Sequence, residues 1–174
     1  GSSAASDVYK RQVVLPKYLK TIEKKQADYA WGNIVKKKNI FSTPFTGCGK
    51  LKNIKVAKGN KYFCSAKGVL YTKNKKTLLV YPAGRTQKSY TIQGKTTQIG
   101  EAAFEYAKYL QKISYGKKLF YISDGAFFAS GLRSVELAKN ISNVGLYAFA
   151  HSTKLQKVTL GDKVEQINTP FIGC

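Results

Sequence analysis

The chain has 174 residues, which suits one domain. Its 43% hydrophobic share and its 21 phenylalanines and tyrosines exclude a disordered polymer. No apolar run approaches the roughly 20 residues that a membrane-crossing helix needs. The formal charge of +21 is lopsided, because residues 1–89 hold 20 of the 30 basic side chains and three of the nine acids.

Taken in order, Ser2 to Gln12 reads Ser-Ser-Ala-Ala-Ser-Asp-Val-Tyr-Lys-Arg-Gln. It resembles, residue for residue, the translation of a transposase-type sequencing adapter. Residues 1–12 are therefore expected to be an artefactual or disordered leader and are set aside from fold reasoning. Residues 13–40 read as a degenerate remnant of an N-terminal repeat. Val13 to Ile22 supplies a strand, a turn at Pro16 and a closing isoleucine. From Glu23 to Ile40, around Tyr29, Trp31 and Lys36-Lys37-Lys38, the pattern fails and an irregular or helical insertion is expected.

Residues 41–174 carry the organising feature. Phe104, Phe127, Phe149 and Phe171 recur at intervals of 23, 22 and 22 residues. Each sits in a related phrase: Ile99-Gly100-Glu101-Ala102-Ala103-Phe104, Ile122-Ser123-Asp124-Gly125-Ala126-Phe127, Val144-Gly145-Leu146-Tyr147-Ala148-Phe149, and a partial Gln166-Ile167-Asn168-Thr169-Pro170-Phe171. Between them recur Leu110-Gln111-Lys112-Ile113-Ser114, Leu132-Arg133-Ser134-Val135-Glu136-Leu137 and Leu155-Gln156-Lys157-Val158-Thr159-Leu160, and an earlier copy runs from Phe41 to Val56. A fixed period of this size predicts a solenoid, since one such unit cannot bury its apolar face alone. The Leu-x-x-Val-x-Leu alternation predicts a short strand with one face in water. The glycine is expected to supply a positive-φ turn, the alanine a close approach and the phenylalanine the filling of the interior.

From Phe45 to Phe104 is 59 residues, too long for one unit. Val69-Leu70-Tyr71-Thr72 and Thr77-Leu78-Leu79-Val80-Tyr81, joined by Lys73-Asn74-Lys75-Lys76, predict a β-hairpin inserted at about 68–84. Its lysine tip is expected in water and its Tyr and Leu face against the side of the solenoid. The chain stops inside a repeat at Phe171-Ile172-Gly173-Cys174, so truncation at both ends is expected.

The pattern I/V-G-x-x-A-F-x-x-small-x-x-L-x-x-I/V-x-L resembles the BspA-like (treponemal type) leucine-rich repeat of bacterial surface proteins, also found in some parasitic protists. Ser123-Asp124 and Asn168 depart from its glycine. The resemblance implies a mostly β solenoid with a repeat of about 22–23 residues, short helical turns after each glycine and one inserted hairpin. It also implies a secreted or cell-surface, non-catalytic protein that recognises or adheres to a protein or glycan.

The sequence carries no recognisable catalytic signature. The only histidine, His151, is expected at a surface or turn, and no motif around it or Cys64 supports a nucleophilic Cys/His pair. No zinc-type spacing or phosphate loop occurs, and no cofactor is expected. Glu101, Glu105, Asp124, Glu136, Asp162 and Glu165 read as solvated turn and strand residues. Cys48 and Cys174 share a repeat position with Ala107, Ser130 and Ser152, which says small and buried.

What remains is surface. Outward side chains of stacked strands form a concave array: Lys52, Asn53 and Lys55, then Gln111, Lys112 and Ser114, then Arg133, Ser134 and Glu136, then Gln156, Lys157 and Thr159. The expected partner is a protein or glycan, such as a host-matrix or cell-wall component. Two alternatives stay open: a passive spacer for a missing catalytic or anchoring module, and a cationic surface for polyanions. Nucleic acid is not the expected polyanion, because arginine is confined to Arg11, Arg85 and Arg133, whereas phosphate and base readout favours arginine.

Overall fold

The structure, a computed structural model, describes residues 11–26, 41–137, 140–167 and 170–174. Among them the regular elements are fifteen short strands and no helix. One side of the coils carries β1 (Gln12–Leu15), β4 (Asn53–Val56), β8 (Ser89–Thr91), β10 (Lys112–Ser114), β12 (Ser134–Glu136) and β14 (Lys157–Thr159). These pair in parallel, β1 with β4, β8 with β10 and β12 with β14. The other side is a seven-stranded sheet in the order β15 (Gln166–Ile167), β13 (Asn143–Val144), β11 (Tyr121–Ile122), β9 (Gln98–Ile99), β7 (Thr77–Val80), β6 (Val69–Thr72), β5 (Phe63–Ala66). A short antiparallel pair, β2 (Lys25–Gln26) with β3 (Phe41–Ser42), completes the set.

The repeated phenylalanine makes one column. Tyr81, Phe104, Phe127, Phe149 and Phe171 stack in succession with ring centroids 4.9, 4.7, 5.2 and 5.6 Å apart and planes within 24° of parallel. Ile99, Ile122 and Val144, all buried, flank the column from the large sheet, and Ile113 and Val135 from the opposite side. Each buried ring contributes about 1.5–3 kcal/mol by burial, plus about 0.5–1.5 kcal/mol per ring pair. An exposed ion pair such as Lys25–Glu23, at 3.8 Å, contributes about 0–1 kcal/mol. The column, not surface charge, holds the coils together.

Between the two sides the chain turns through an arc that is not helical, contrary to the expected short helical turns. Alternate N–H groups reach the next coil: Ala102, Phe104 and Tyr106 donate to the carbonyls of Asp124, Ala126 and Phe128 at 3.1, 2.7 and 2.9 Å. The groups between them close local turns, as Ala103 does on Gly100 and Glu105 on Ala102. Left-handed residues recur every fourth position along this arc, at Ala102 and Tyr106, Gly125 and Ala129, and Tyr147 and His151 (φ 51 to 59°). Each non-glycine costs on the order of 1 kcal/mol. The inter-coil bond, at about 0.5–1.5 kcal/mol, and the buried ring offset it.

Gly100 and Gly145 are not among the positive-φ residues, which corrects the role expected for them. A Cβ on Gly145 would lie 2.5 Å from the Asp124 nitrogen of the preceding coil, and one on Gly100 would lie 3.0 Å from the Leu78 carbonyl. Glycine stands there because neighbouring backbones approach closely, not because the turn is left-handed.

The inserted segment is a three-stranded antiparallel meander, β5–β6–β7, in which the hairpin is β6 and β7. It does not lie against the side of the solenoid. Strand β7 takes the place of a repeat strand and pairs in parallel with β9. Strand β6 is buried on both faces: Val69 and Tyr71 enter the main core, and Leu70 enters a second core with Leu15, Phe45, Leu51 and Ile54. Three consecutive apolar residues suit a strand enclosed on both sides. Tyr71 Oη meets Tyr90 Oη at 2.5 Å, tying the meander to β8. The tip residues Lys73, Asn74 and Lys76 are exposed, as expected.

Two cations stand in for backbone donors where the meander interrupts the coils. Lys24 Nζ donates to the carbonyls of Leu79 (2.6 Å) and Glu101 (2.5 Å), the latter being the counterpart of Asp124, which accepts Ala102 N–H in the next coil. Arg85 Nη1 donates to the carbonyls of Lys67 (2.8 Å) and Lys52 (3.3 Å). Strand β1 begins at Gln12, within the expected leader, and the Arg11 carbonyl accepts N–H groups of Lys52 and Asn53. The rest of that leader, and the expected irregular stretch 27–40, lie outside the described residues.

Candidate binding face

The three-residue strands of the first side, β8, β10, β12 and β14, each present one residue inward and two outward. Ile113 and Val135 are buried, while Lys112, Ser114, Ser134 and Glu136 are exposed. Parallel register aligns them across coils, Lys112 opposite Ser89, Ser134 opposite Lys157, and Glu136 opposite Thr159. Lys112, Ser114, Ser134, Glu136, Lys157 and Thr159, six of the twelve expected face residues, line one groove of about 450 Å³. Tyr115 closes one edge, its hydroxyl donating to the Glu136 carbonyl.

The other six are placed differently. Gln111, Arg133 and Gln156 stand at strand entrances beside the groove, where the Gln111 carbonyl accepts Arg133 N–H at 3.1 Å and the Arg133 carbonyl accepts Gln156 N–H at 2.8 Å. Lys52 precedes β4, and Asn53 and Lys55 lie on it in a separate ladder, opposite Gln12 and Val14 of β1. Ser89 and Thr91 of β8 extend the face in register with Lys112 and Ser114 and were missed by sequence reading, although Ser89-Tyr90-Thr91 echoes Lys112-Ile113-Ser114. Tyr115 was missed too. Its signal was a tyrosine where the other copies have Leu137 and Leu160.

The histidine and the small residues of the repeat position pack within and between the coils. His151 lies in a turn, one of the two placements expected, and is only 5% exposed, with its ring edge-on to Phe128 at 5.5 Å. A large ring in a left-handed residue packs against the neighbouring coil. Cys48 is buried, and Ser130 and Ser152 share a hydrogen bond of 3.0 Å at the same repeat position. Cys174 at that position is exposed on the last coil.

Asp124 and Glu105 are less solvated than expected, whereas Glu101 is exposed. Asp124 Oδ1 accepts Leu146 N–H at 2.8 Å. Glu105 accepts Thr46 Oγ1–H at 3.1 Å, and burial, partly countered by that bond and by Lys24, pushes its carboxyl up to about 7. Partial burial, with the Asp124 charge, also raises Glu101. Among the described residues no three His, Cys, Asp or Glu side chains are grouped to hold a metal ion. No helix among them is long and apolar enough to cross a membrane.

Stacked short parallel strands, one aromatic per coil and a conserved turn geometry from coil to coil define a leucine-rich repeat solenoid, a class that generally serves as a binding scaffold. The sequence matches the BspA type leucine rich repeat region in six copies over residues 83–174, and the chain belongs to that family. A leucine-rich repeat protein from Eubacterium ventriosum superposes with a TM-score of 0.77 at 26% identity, over 94% of this chain and 40% of that one. The pneumococcal vaccine antigen PcpA superposes with a TM-score of 0.65 at 23% identity, over 93% of this chain and 42% of that one, a likeness of fold. The chain thus spans about two fifths of the length of these solved relatives. No curated protein sequence matches it.

Proposed function

We propose that the chain is the recognition solenoid of a secreted or cell-surface bacterial protein, and that it holds a protein or glycan partner, from a host matrix or a cell wall, against its strand-bearing face without catalysis. The observation that carries this reading is the groove over β10, β12 and β14. There the three strands bring two ammonium groups, one carboxylate and three hydroxyls into a space of about 450 Å³, with the Tyr115 hydroxyl just past β10 as a fourth. Rigid parallel strands hold donors and acceptors at fixed spacing, which lowers the entropy lost on binding.

Replacing Lys112, Arg133 and Lys157 together with glutamate tests this. Exposed on the surface, the three substitutions leave the ring column untouched and should not change the melting temperature appreciably. Capture on immobilised matrix protein or purified cell wall should fall at least about tenfold. Unchanged capture would remove this face from the site.

A further inference from the structure

On the regular coils the alternate N–H groups of the arc find carbonyls on the next coil, and beside the meander, among the described residues, Gly47 N–H and the Glu105 carbonyl face one cleft without such a bond. Counting back from Phe104 to Phe45, the donors that should reach the next coil are Thr43, Phe45 and Gly47. Thr43 N–H donates instead to Thr46 Oγ1 (2.8 Å), and Phe45 N–H donates to Thr43 Oγ1 (3.1 Å). Gly47 N–H, the counterpart of Tyr106 N–H, has no acceptor among the described residues.

On the facing coil the matching acceptors are the carbonyls of Glu101, Ala103 and Glu105. Glu101 takes Lys24 Nζ and Ala103 takes Tyr81 N–H at 2.7 Å, but the Glu105 carbonyl takes no donor among the described residues. The cause is the short return Pro82-Ala83-Gly84. It cuts the intervening arc off just after Tyr81 and brings Gly84 N–H back to the Leu51 carbonyl at 2.8 Å. A mainly apolar cleft of about 370 Å³ opens at this spot, walled by Phe45, Ala83 and Tyr106, with Gly47, Glu105 and Lys108 on its lining.

We propose that this cleft is a second binding site, which takes a short extended peptide of a partner protein as the missing piece of arc. A peptide carbonyl accepts Gly47 N–H, a peptide N–H donates to the Glu105 carbonyl, and an apolar side chain lies against Phe45 and Ala83. The logic is that of strand addition, in which main-chain bonds supply affinity and a pocket supplies selectivity. A peptide offers the donor and the acceptor together, whereas a purely apolar molecule leaves both protein groups unpaired. Lys108 favours a carboxylate next to the inserted residues.

The experiment titrates ¹⁵N-labelled protein with a pool of acetyl-Asp-Xaa-Xaa-Gly-amide peptides, carrying Leu, Val or Phe at the two variable positions, and with the same pool methylated on the variable nitrogens. The Gly47 amide resonance should shift and saturate, and the methylated pool should bind about tenfold more weakly. Gly49 also lines the cleft; its Cβ would meet nothing within 4 Å, and its φ is not positive, so Gly49→Phe fills the cleft with little strain. That variant should lose the Gly47 shift while keeping the resonances of Phe104, Phe127 and Phe149. Three results would each overturn the proposal: no shift at Gly47 with millimolar peptide, equal binding of the two pools, or a shift that survives Gly49→Phe.

Discussion

Glu105 shows what a single residue in this fold experiences. Its side chain sits where the regular coil array is interrupted, beside Thr46 and Lys24, and burial raises its carboxyl from an ordinary 4.5 to about 7. Between those values the folded protein holds a proton that the unfolded chain has released, so stability falls as pH rises from about 4.5 to about 7. Lys24 acts over a different interval. Burial lowers its ammonium from 10.5 to about 8, so stability rises with pH between about 8 and 10.5. Urea midpoints should therefore drop between pH 4.5 and 7.5, by about 1–3 kcal/mol in stability, and Glu105→Gln should flatten most of that drop. Parallel profiles for the two proteins would show that Glu105 is not the group responsible. At this scale the sequence was readable where a residue's role repeats, as with the stacked phenylalanines. It was misread at Glu105 and at Gly145, because their surroundings come from other coils: the interrupted arc for one, the Asp124 backbone for the other.

Among the elements, the strand phrases were legible because alternation over three residues is a local property. Ile113 and Val135 point inward with polar neighbours on either side, as the pattern requires. The hairpin was legible from two β-prone runs and a lysine-rich turn. Strand β5 was not, since Phe63-Cys64-Ser65-Ala66 carries little β signal and is a strand because β6 offers it an edge. The cost of interrupting a periodic ladder is a set of unpaired backbone groups, and the chain meets it with Lys24 and Arg85. Lys24→Met keeps the aliphatic stem but leaves the carbonyls of Leu79 and Glu101 without their donor, so it should cost about 1–3 kcal/mol. Hydrogen exchange should quicken first at Tyr81 and Gly100, whose N–H groups bond across this junction. A loss no larger than that of an exposed control, Lys20→Met, would refute the surrogate role.

Over the whole molecule, charge and shape are distributed separately. Residues 41–100 hold twelve basic side chains and no acid, whereas the groove over β10, β12 and β14 mixes both signs. On charge alone the first stretch favours loose attraction to anionic polymers, the alternative left open by the sequence. Retention on a polyphosphate or polyuronate matrix should then collapse between about 50 mM and about 0.5 M salt. Capture by the strand face, where contacts are shaped and short in range, should persist. If both activities decline together with salt, the face contributes no recognition of its own.

The sequence by itself determined the solenoid, its period, the ring column and the outward strand positions, because each of these depends on spacing along the chain and on the preference of a side chain for water or for other side chains. Only the tertiary structure decided which outward residues share a groove, why glycine stands at position 145, and where a coil is left incomplete between Gly47 and Glu105. Those depend on how closely separate coils approach one another, a distance set by packing across the stack and carried by no local run of residues.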